Sequence, residues 1–542
     1  VSDRVLVVGF DALDFEYLEK FADSMPAFGQ LRSSGVEAGL ESTHPPWTGS
    51  AWPSLYTGCD PSHHGVYDFF VHDDYPDAVS MASRNDVHKP ALWNYLSAQG
   101  RPSVVMNVPV THPVEPIEGV LVPGYLANED AQGTPSSIRE DLSDAIGEQY
   151  RIYSETETSS EGDAKLAGYL DLIRSRGRAA DFLLREHEWE MAFVQVQKTD
   201  SVFHNFDDEE AFRAIYEAAD EFLATVMNVL DEDDTVVVCS DHGIGHRTGY
   251  SIYINEILSD HGFVEGSDSG EAKSLSSVKT ELTGDAEGES ARQGDDLLAG
   301  LANVVQTSLS RVGVTPLDVY RAADSVGLAE TLVDILPTDV KSDVGEVVDW
   351  RASRAYCRSS TELGIRINLA GRDSDGVVPQ DRYESVRDDL IELLRNLETP
   401  DGAPAFERVA RREAVYDGPY VEDACDIVFV PHEMNHTIGT KLYGRRFKPV
   451  DCYDHERTGV FVAAGAGIEG GVDEMSLTAV APLVMALLGQ AVPERMTGSV
   501  PGSILAEPAT RRDYGDVPYG TGRAEPTDDD EVTDRLEDLG YL

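Results

Sequence analysis

Positive charge is what this sequence has least of. Lys and Arg number 43 against 98 Asp and Glu, a formal net charge of −55 with a sequence pI near 4.4. Only nine of those cations are Lys; Arg supplies the other 34. Such a balance excludes a general nucleic-acid binder, and with it duplex binding. An anionic substrate would have to be met by local cations or by metal, against the field of the whole chain. Cysteine is also sparse. Cys59, Cys239, Cys357, Cys425 and Cys452 are odd in number and scattered, which is neither a disulfide framework nor a zinc-knuckle spacing and fits a reducing interior. No apolar run approaches the roughly 20 residues of a membrane span. The run from Val5 to Phe10 is too short for a signal peptide and ends in Asp11. The expectation is a soluble cytoplasmic protein with no membrane partner; oligomeric state is not legible.

The acidic surplus is spread along the chain, and with so little Lys it resembles a protein from the salt-saturated cytoplasm of a haloarchaeon. There, short carboxylates hold water and cations. The alternative is an ordinary acidic mesophilic protein. At low salt these charges repel one another, so folding is expected to depend on salt. Apolar residues make up 41% of the chain, enough for a sizeable core. At roughly 150 residues per domain, 542 residues allow three or four domains, or one large core with insertions.

Arg4-Val-Leu-Val-Val-Gly-Phe10 reads as a buried parallel strand. Similar runs recur at Ser103 to Val108, Met191 to Val196, Thr235 to Ser240, Asp426 to Val430 and Gly459 to Ala464. Helical patterns lie between several of them, at Phe15 to Phe28, Ala91 to Gln99, Ala164 to Glu186 and Glu209 to Leu230. Strand–helix alternation predicts an α/β fold, a mostly parallel sheet sandwiched by helices. Such sheets bind ligands at the carboxyl ends of their strands. Between Gly262 and Arg292, Gly, Ser, Glu and Asp dominate, which reads as a flexible acidic insert leading into a helical stretch, about Asp295 to Leu336. From Arg511 the chain is again acidic and turn-rich, ending in an amphipathic piece, Val532 to Leu542, that is able to dock back.

Five signals at strand and helix ends carry chemistry. Asp11 directly follows the first strand; alone it reads equally as a helix cap. Thr48 follows Pro45-Pro46-Trp47 and precedes Gly-Ser-Ala-Trp, a plausible first helical turn. A hydroxyl there faces free backbone N–H groups and the positive end of a helix dipole, which favours an attacking oxygen and a phosphate. The alternative is that Thr48 merely caps the helix. Asp200 and His204 follow another strand at helical spacing, which reads equally as one half of a metal site or as a helix-capping Asp with an unrelated His. Thr235-Val-Val-Val-Cys-Ser-Asp241-His242-Gly243 runs a buried strand straight into two ligands, with Gly243 expected to turn the backbone sharply. His455 stands just before the last strand. Three carboxylates, three imidazoles and one hydroxyl are the inventory for two divalent ions bracketing a nucleophile.

In this order, Asp11, the Thr48 segment, Asp-x-x-x-His, Asp-His-Gly and a late His resemble the alkaline phosphatase superfamily. The likeness is to its type I phosphodiesterase and nucleotide pyrophosphatase branch and to prokaryotic phosphohydrolase or phosphomutase members. It covers about residues 3 to 260 and 345 to 505. It implies a catalytic core over 1–260 and 345–510 with a cap-like insertion around 370–450. The acidic insertion, 261–344, and the tail, 511–542, stand outside that core. It also implies that Asp200, His204 and His455 hold one metal, and that Asp11, Asp241 and His242 hold the other together with the Thr48 oxygen. Zinc is usual for this set, though manganese, magnesium or iron occur. The implied activity is hydrolysis of a small phosphorylated substrate (phosphodiester, nucleotide pyrophosphate or phosphomonoester) through a phosphothreonine. A phosphomutase of the same superfamily and a sulfatase-like or catalytically silent binding protein are the rival readings.

The sequence departs from that branch at one point. Its members carry a phosphate-binding Asn beyond the His-Gly of the nucleophile segment. Here Phe69 takes that place by spacing, so phosphate recognition must differ. Cys59-Asp-Pro-Ser-His63 mimics the sulfatase motif but has His for Arg and follows Thr57-Gly58, so it reads as a decoy. Substrate-side candidates are Asn107 and His112 beyond a strand, Lys198 two residues before Asp200, and His246 with Arg247 after Asp-His-Gly. His432 and His436 read as structural or outer-pocket residues.

Overall fold

In a computed structural model of the chain, residues 2–266 and 348–520 are described, apart from 77, 158 and 160. Most of the acidic insertion and the end of the tail, including Val532 to Leu542, lie outside the described residues. At the centre is an eight-stranded sheet. Its order is Glu474–Ser476, Val36–Glu41, Thr458–Gly465, Thr235–Cys239, Val5–Phe10, Met191–Val196, Ser103–Met106 and Gly119–Val122. All strands run one way except Thr458–Gly465, which is antiparallel to both neighbours. The expected mostly parallel α/β sheet is therefore present. The strand just after His455 runs against the direction that its apolar run suggested.

Alternation along Val5–Phe10 explains why both faces must be covered. Val5 and Val7 enter one core, while Leu6, Val8 and Phe10 enter the other. The helices Gly162–Glu186 and Glu209–Met227 cover the second face, and Thr48–Thr57 with Val480–Leu487 cover the first. The helical pattern from Phe15 to Phe28 is broken. Helix Phe15–Lys20 ends at Phe21, a short 3-10 turn follows, and Pro26 starts a new helix ending at Ser34. Pro is tolerated at a first helical position but not inside one, so the break falls there.

A second sheet is antiparallel and four-stranded, in the order Ala355–Tyr356, Gly364–Ile367, Ile427–Pro431, Phe406–Arg411. The Asp426 to Val430 run, read as another parallel strand, belongs here instead. An apolar run reports burial, not which sheet or direction completes its hydrogen bonds. The start of the tail is ordered against the core: Arg511–Arg512 pairs with Val492–Pro493, and Gly520 N donates to Glu115 Oε2 at 2.6 Å.

Candidate active site

All seven residues of the expected constellation converge at the carboxyl edge of the central sheet. Asp11 ends Val5–Phe10, and Asp241 and His242 follow Thr235–Cys239, the parallel neighbour of that strand. Asp200 and His204 lie on helix Lys198–Asn205, directly after Met191–Val196. His455 lies in Cys452–Glu456, a strand paired with Gly243–Arg247, its register placing His455 opposite Ile244. Asp11, Thr48, Asp200, Asp241, His242 and His455 are at most 1% exposed.

Thr48 is the first residue of helix Thr48–Thr57, and no side-chain cap is made there. Its hydroxyl instead donates to Asp11 Oδ1 at 3.1 Å and lies 3.4 Å from His242 Nε2. The capping alternative is thus replaced by a hydroxyl turned into the cluster. His242 Nδ1 is 2.9 Å from the Gly243 carbonyl, so the ring donates there and presents Nε2 to Thr48, Asp11 and Asp241. His455 Nδ1 lies 2.9 Å from Asp454 Oδ1, which leaves Nε2 toward Asp200 Oδ1 at 4.0 Å. Orienting one ring nitrogen through a second partner is how ligating imidazoles are held. The His242 and His455 rings are 4.0 Å apart by centroid.

Electrostatics follow from this crowding. Burial, then the charges of Asp241 and Asp200, push the Asp11 carboxyl well above its usual range; burial and Asp200 do the same to Asp241. Burial opposes ionisation of Asp200 as well, but the imidazoles of His204, His455 and His242 outweigh it and hold that carboxyl low. Burial, then His455, drives His242 well down. His204 Nε2 lies 3.1 Å from Asp200 Oδ1, and that contact overcomes burial to raise His204.

The donor set fits divalent ions. Asp11 and Asp241 are ion-paired only to His242 among the described residues, and Asp241 Oδ2 has no hydrogen-bond partner. Uncompensated carboxylates at such depth are costly without a cation. Ligand atoms of Asp11, Asp241 and His242 lie within 4.8 Å of one another, and so do those of Asp200, His242 and His455. His242 therefore stands in both groups, between the two sets.

Two supporting residues, Trp52 and Gln195, escaped the sequence reading. Trp52 Nε1 donates to Asp11 Oδ2 at 3.1 Å and Gln195 Nε2 donates to the same oxygen at 2.9 Å. Their signals were present: Trp52 lies one turn after Thr48, and Gln195 is a polar residue inside an apolar strand. Trp52 packs on Gly9, where a Cβ would meet its ring at 2.5 Å. Arg247 is buried; its guanidinium donates to the His455 carbonyl at 2.5 Å and pairs with Asp454 at 3.2 Å. Gly243 is required for a reason other than a turn. A Cβ there would meet the Thr458 carbonyl oxygen at 2.3 Å.

Beside the cluster opens a cavity of about 1060 Å³, lined by Trp47, His204, His246, Arg247, Thr361 and His436 among others. The Trp47 ring stands edge-on to His455 at 4.2 Å. Of the substrate-side candidates, His246 lines this cavity, with Nε2 2.7 Å from Asp451 Oδ1. Lys198 does not line it: its ammonium is buried against Glu157, Gln197 and Ser201. Asn107 does not line it either; its side chain accepts from the Tyr150 hydroxyl at 2.5 Å. His112 is buried away from it, and His436 rather than His432 reaches the wall. For Asn107 and Lys198, a polar side chain beyond a strand found a partner from another segment of the core. Cys59 is buried with Sγ 3.2 Å from the Arg495 carbonyl oxygen, outside the cluster. Phe69 packs in the first core, and its backbone N would lie 3.0 Å from a Cβ on Gly49. The position adjoins helix Thr48–Thr57 and brings a benzyl group there.

Comparison with known proteins completes the description. A search of curated protein sequences gave no match. Among solved structures, phosphonoacetate hydrolase from Sinorhizobium meliloti 1021, in complex with phosphonoformate, is 15% identical. It superposes with a TM-score of 0.53 over 90% of this chain and 96% of that one. The alkaline phosphatase PafA is 12% identical, with a TM-score of 0.51 over 93% of this chain and 99% of that one. These likenesses show a shared fold. The family model of type I phosphodiesterase/nucleotide pyrophosphatase matches residues 5–460. The chain accordingly belongs to the type I phosphodiesterase/nucleotide pyrophosphatase family, a phosphohydrolase family built on the alkaline phosphatase fold.

Proposed function

We propose that the protein is a two-metal hydrolase of small phosphate esters, with Thr48 as nucleophile and a phosphothreonine as intermediate. One observation carries this reading: the Thr48 hydroxyl, first in its helix, is held 3.1 Å from Asp11 and 3.4 Å from His242. Asp11, Asp241 and His242 would hold one ion, and Asp200, His204 and His455 the other, with His242 near both. Two such ions supply the positive charge that makes a hydroxyl acidic near neutral pH and offsets the charge of a phosphate.

The chain's own groups do the rest. Asp11, fixed by Trp52 and Gln195, accepts the Thr48 hydrogen bond and sets the direction of its oxygen. That oxygen, its proton passing to solvent water, attacks phosphorus; the new Oγ–P bond forms as the ester P–O bond breaks, and the leaving oxygen takes a proton from water as the leaving group departs toward His204 and the cavity. Water then attacks phosphorus and breaks the Oγ–P bond, releasing phosphate from a monoester substrate or a phosphomonoester from a diester, and the threonine oxygen takes back a proton from that water. Amides of the first helical turn support the phosphoryl oxygens. Catalysis is mostly positioning and charge compensation. With Phe69 where relatives have Asn, no side-chain amide stands there to bind a phosphoryl oxygen. Family membership favours a phosphodiester or nucleotide pyrophosphate, and the open cavity accommodates a leaving group of that size.

The test is turnover of bis-p-nitrophenyl phosphate and p-nitrophenyl phosphate by metal-loaded protein in high salt. Thr48→Ala and Asp241→Ala are each expected to lower it by at least ~100-fold. Wild-type turnover in both variants would falsify the assignment.

A further inference from the structure

We propose a separate divalent-cation site at Asp68, His72 and Glu362. Its geometry does not depend on the chemistry proposed for Thr48. Asp68 directly precedes the hairpin of Phe70–Asp74 and Ala78–Met81, and His72 lies within its first strand. Glu362 comes from the segment just before Gly364–Ile367 in the antiparallel sheet. Asp68 is 1% exposed, as a residue and by its side chain, and the His72 side chain is 5% exposed.

The hydrogen bonds of this corner do not close without a further atom. Asp68 Oδ1 is satisfied by the Phe69 amide at 2.7 Å and by the Thr361 hydroxyl. Asp68 Oδ2 has no hydrogen-bond partner among the described residues, and neither ring nitrogen of His72 has one. A buried carboxylate oxygen and a buried imidazole with both nitrogens idle are an expensive pair of omissions. The gap between them has a definite width: His72 Nε2 lies 3.7 Å from Asp68 Oδ2. That is too long for a hydrogen bond. It suits two ligands of one ion at ~2.1 Å each, subtending roughly 120°.

Glu362 supplies the third ligand atom, and the three atoms lie within 4.8 Å of one another. Arg358 holds the Glu362 carboxylate at 2.7 and 2.6 Å; Oε2 also accepts from Cys425 Sγ at 3.5 Å, and Oε1 keeps a second lone pair. Asp68 and Glu362 with Arg358 leave one negative charge over, which a cation compensates. Packing of Phe70 and Tyr75 around the His72 ring, at 6.4 and 5.4 Å, keeps the corner dry. One imidazole with two carboxylates selects zinc or manganese over the all-oxygen preferences of calcium and magnesium. The ion would tie the hairpin to the antiparallel sheet. It also sits behind the catalytic wall: Thr361 lines the cavity, and the Asp68 carbonyl oxygen lies 3.0 Å from where a Gly49 Cβ would be.

Crystals of the full chain, grown in molar salt and equilibrated with zinc, test this by anomalous diffraction at the zinc edge. A peak between Asp68 Oδ2 and His72 Nε2 is expected. No peak there at saturating zinc overturns the site, whatever the Asp11 cluster holds. A peak there with the Asp11 cluster empty keeps the site and defeats the two-metal hydrolase reading instead. In solution, His72→Gln should bind one zinc equivalent less than wild type by atomic emission after dialysis. Its zinc-induced rise in Tm should be smaller too. Equal zinc content in folded His72→Gln protein would overturn the proposal.

Discussion

Gly9→Ala tests how Asp11, the hydrogen-bond partner of the proposed nucleophile Thr48, is held. A methyl group at this strand position would lie 2.5 Å from Trp52 Cη2, 2.8 Å from Cζ3 and 3.2 Å from Phe193 Cε2. Both rings are fully buried, so neither can swing into solvent. Overpacking of this kind costs about 1–3 kcal/mol. A displaced Trp52 also loses its 3.1 Å bond to Asp11, a charge-assisted contact worth about 1.5–3 kcal/mol. Together these give a destabilisation of about 2.5–6 kcal/mol. Turnover should fall by about 10²-fold as Asp11 shifts against Thr48. The assays are urea denaturation in molar KCl and hydrolysis of p-nitrophenyl esters. Trp52→Phe in the same chain separates the causes, because the smaller ring leaves room for the methyl group. The double variant should be more stable than the two single effects predict when added. Strict additivity, or a Gly9→Ala midpoint equal to wild type, would refute the packing account.

Asp454→Asn weakens the acceptor that orients His455 and should lower metal affinity or turnover by about 10–100-fold, read by metal titration; an unchanged affinity would show that Asp454 does not act through His455. Burial pushes the Asp426 carboxyl up, but Arg372, then Arg366 and Arg412, bring it down to about 2 from 3.8. A depressed carboxyl stabilises the fold above its unfolded value and loses that contribution as pH falls from about 4 toward 2. Asp426→Asn should therefore cost about 2 kcal/mol near neutral pH and flatten that acid limb in a Tm-versus-pH series; an identical limb would contradict it. With a net charge of −55, moving from 1 M to 0.1 M salt lengthens screening from about 3 to 10 Å, and Tm should drop; a Tm independent of salt would sink the charge-repulsion argument.

The buried cluster was legible because Asp11, Asp200, Asp241 and His242 sit just past apolar runs. Asp11, Asp241 and His242 follow buried strands, and Asp200 with His204 shares one helical face. Local pattern could rank these positions, since strand ends in parallel sheets open onto one edge. The same logic misplaced Asn107 and Lys198. Both also follow strands, but Tyr150 and Glu157 come from distant segments and absorb their polar groups. The broken helix near Pro26 and the separate strand Ile427–Pro431 were missed because an apolar run reports burial without naming a partner.

Charge balance, the order of the ligand residues and the threonine between them follow from the amino-acid sequence alone, since they rest on composition and on short-range periodicity. Orientation belongs to the tertiary structure. Only the folded chain brings the Gly243 carbonyl and Asp454 against the Nδ1 atoms of His242 and His455, Trp52 and Gln195 against Asp11, and the benzyl group of Phe69 beside helix Thr48–Thr57. The physical reason is range: hydrogen bonds and van der Waals contacts act over a few ångströms, and which groups come that close is decided by how distant strands pair.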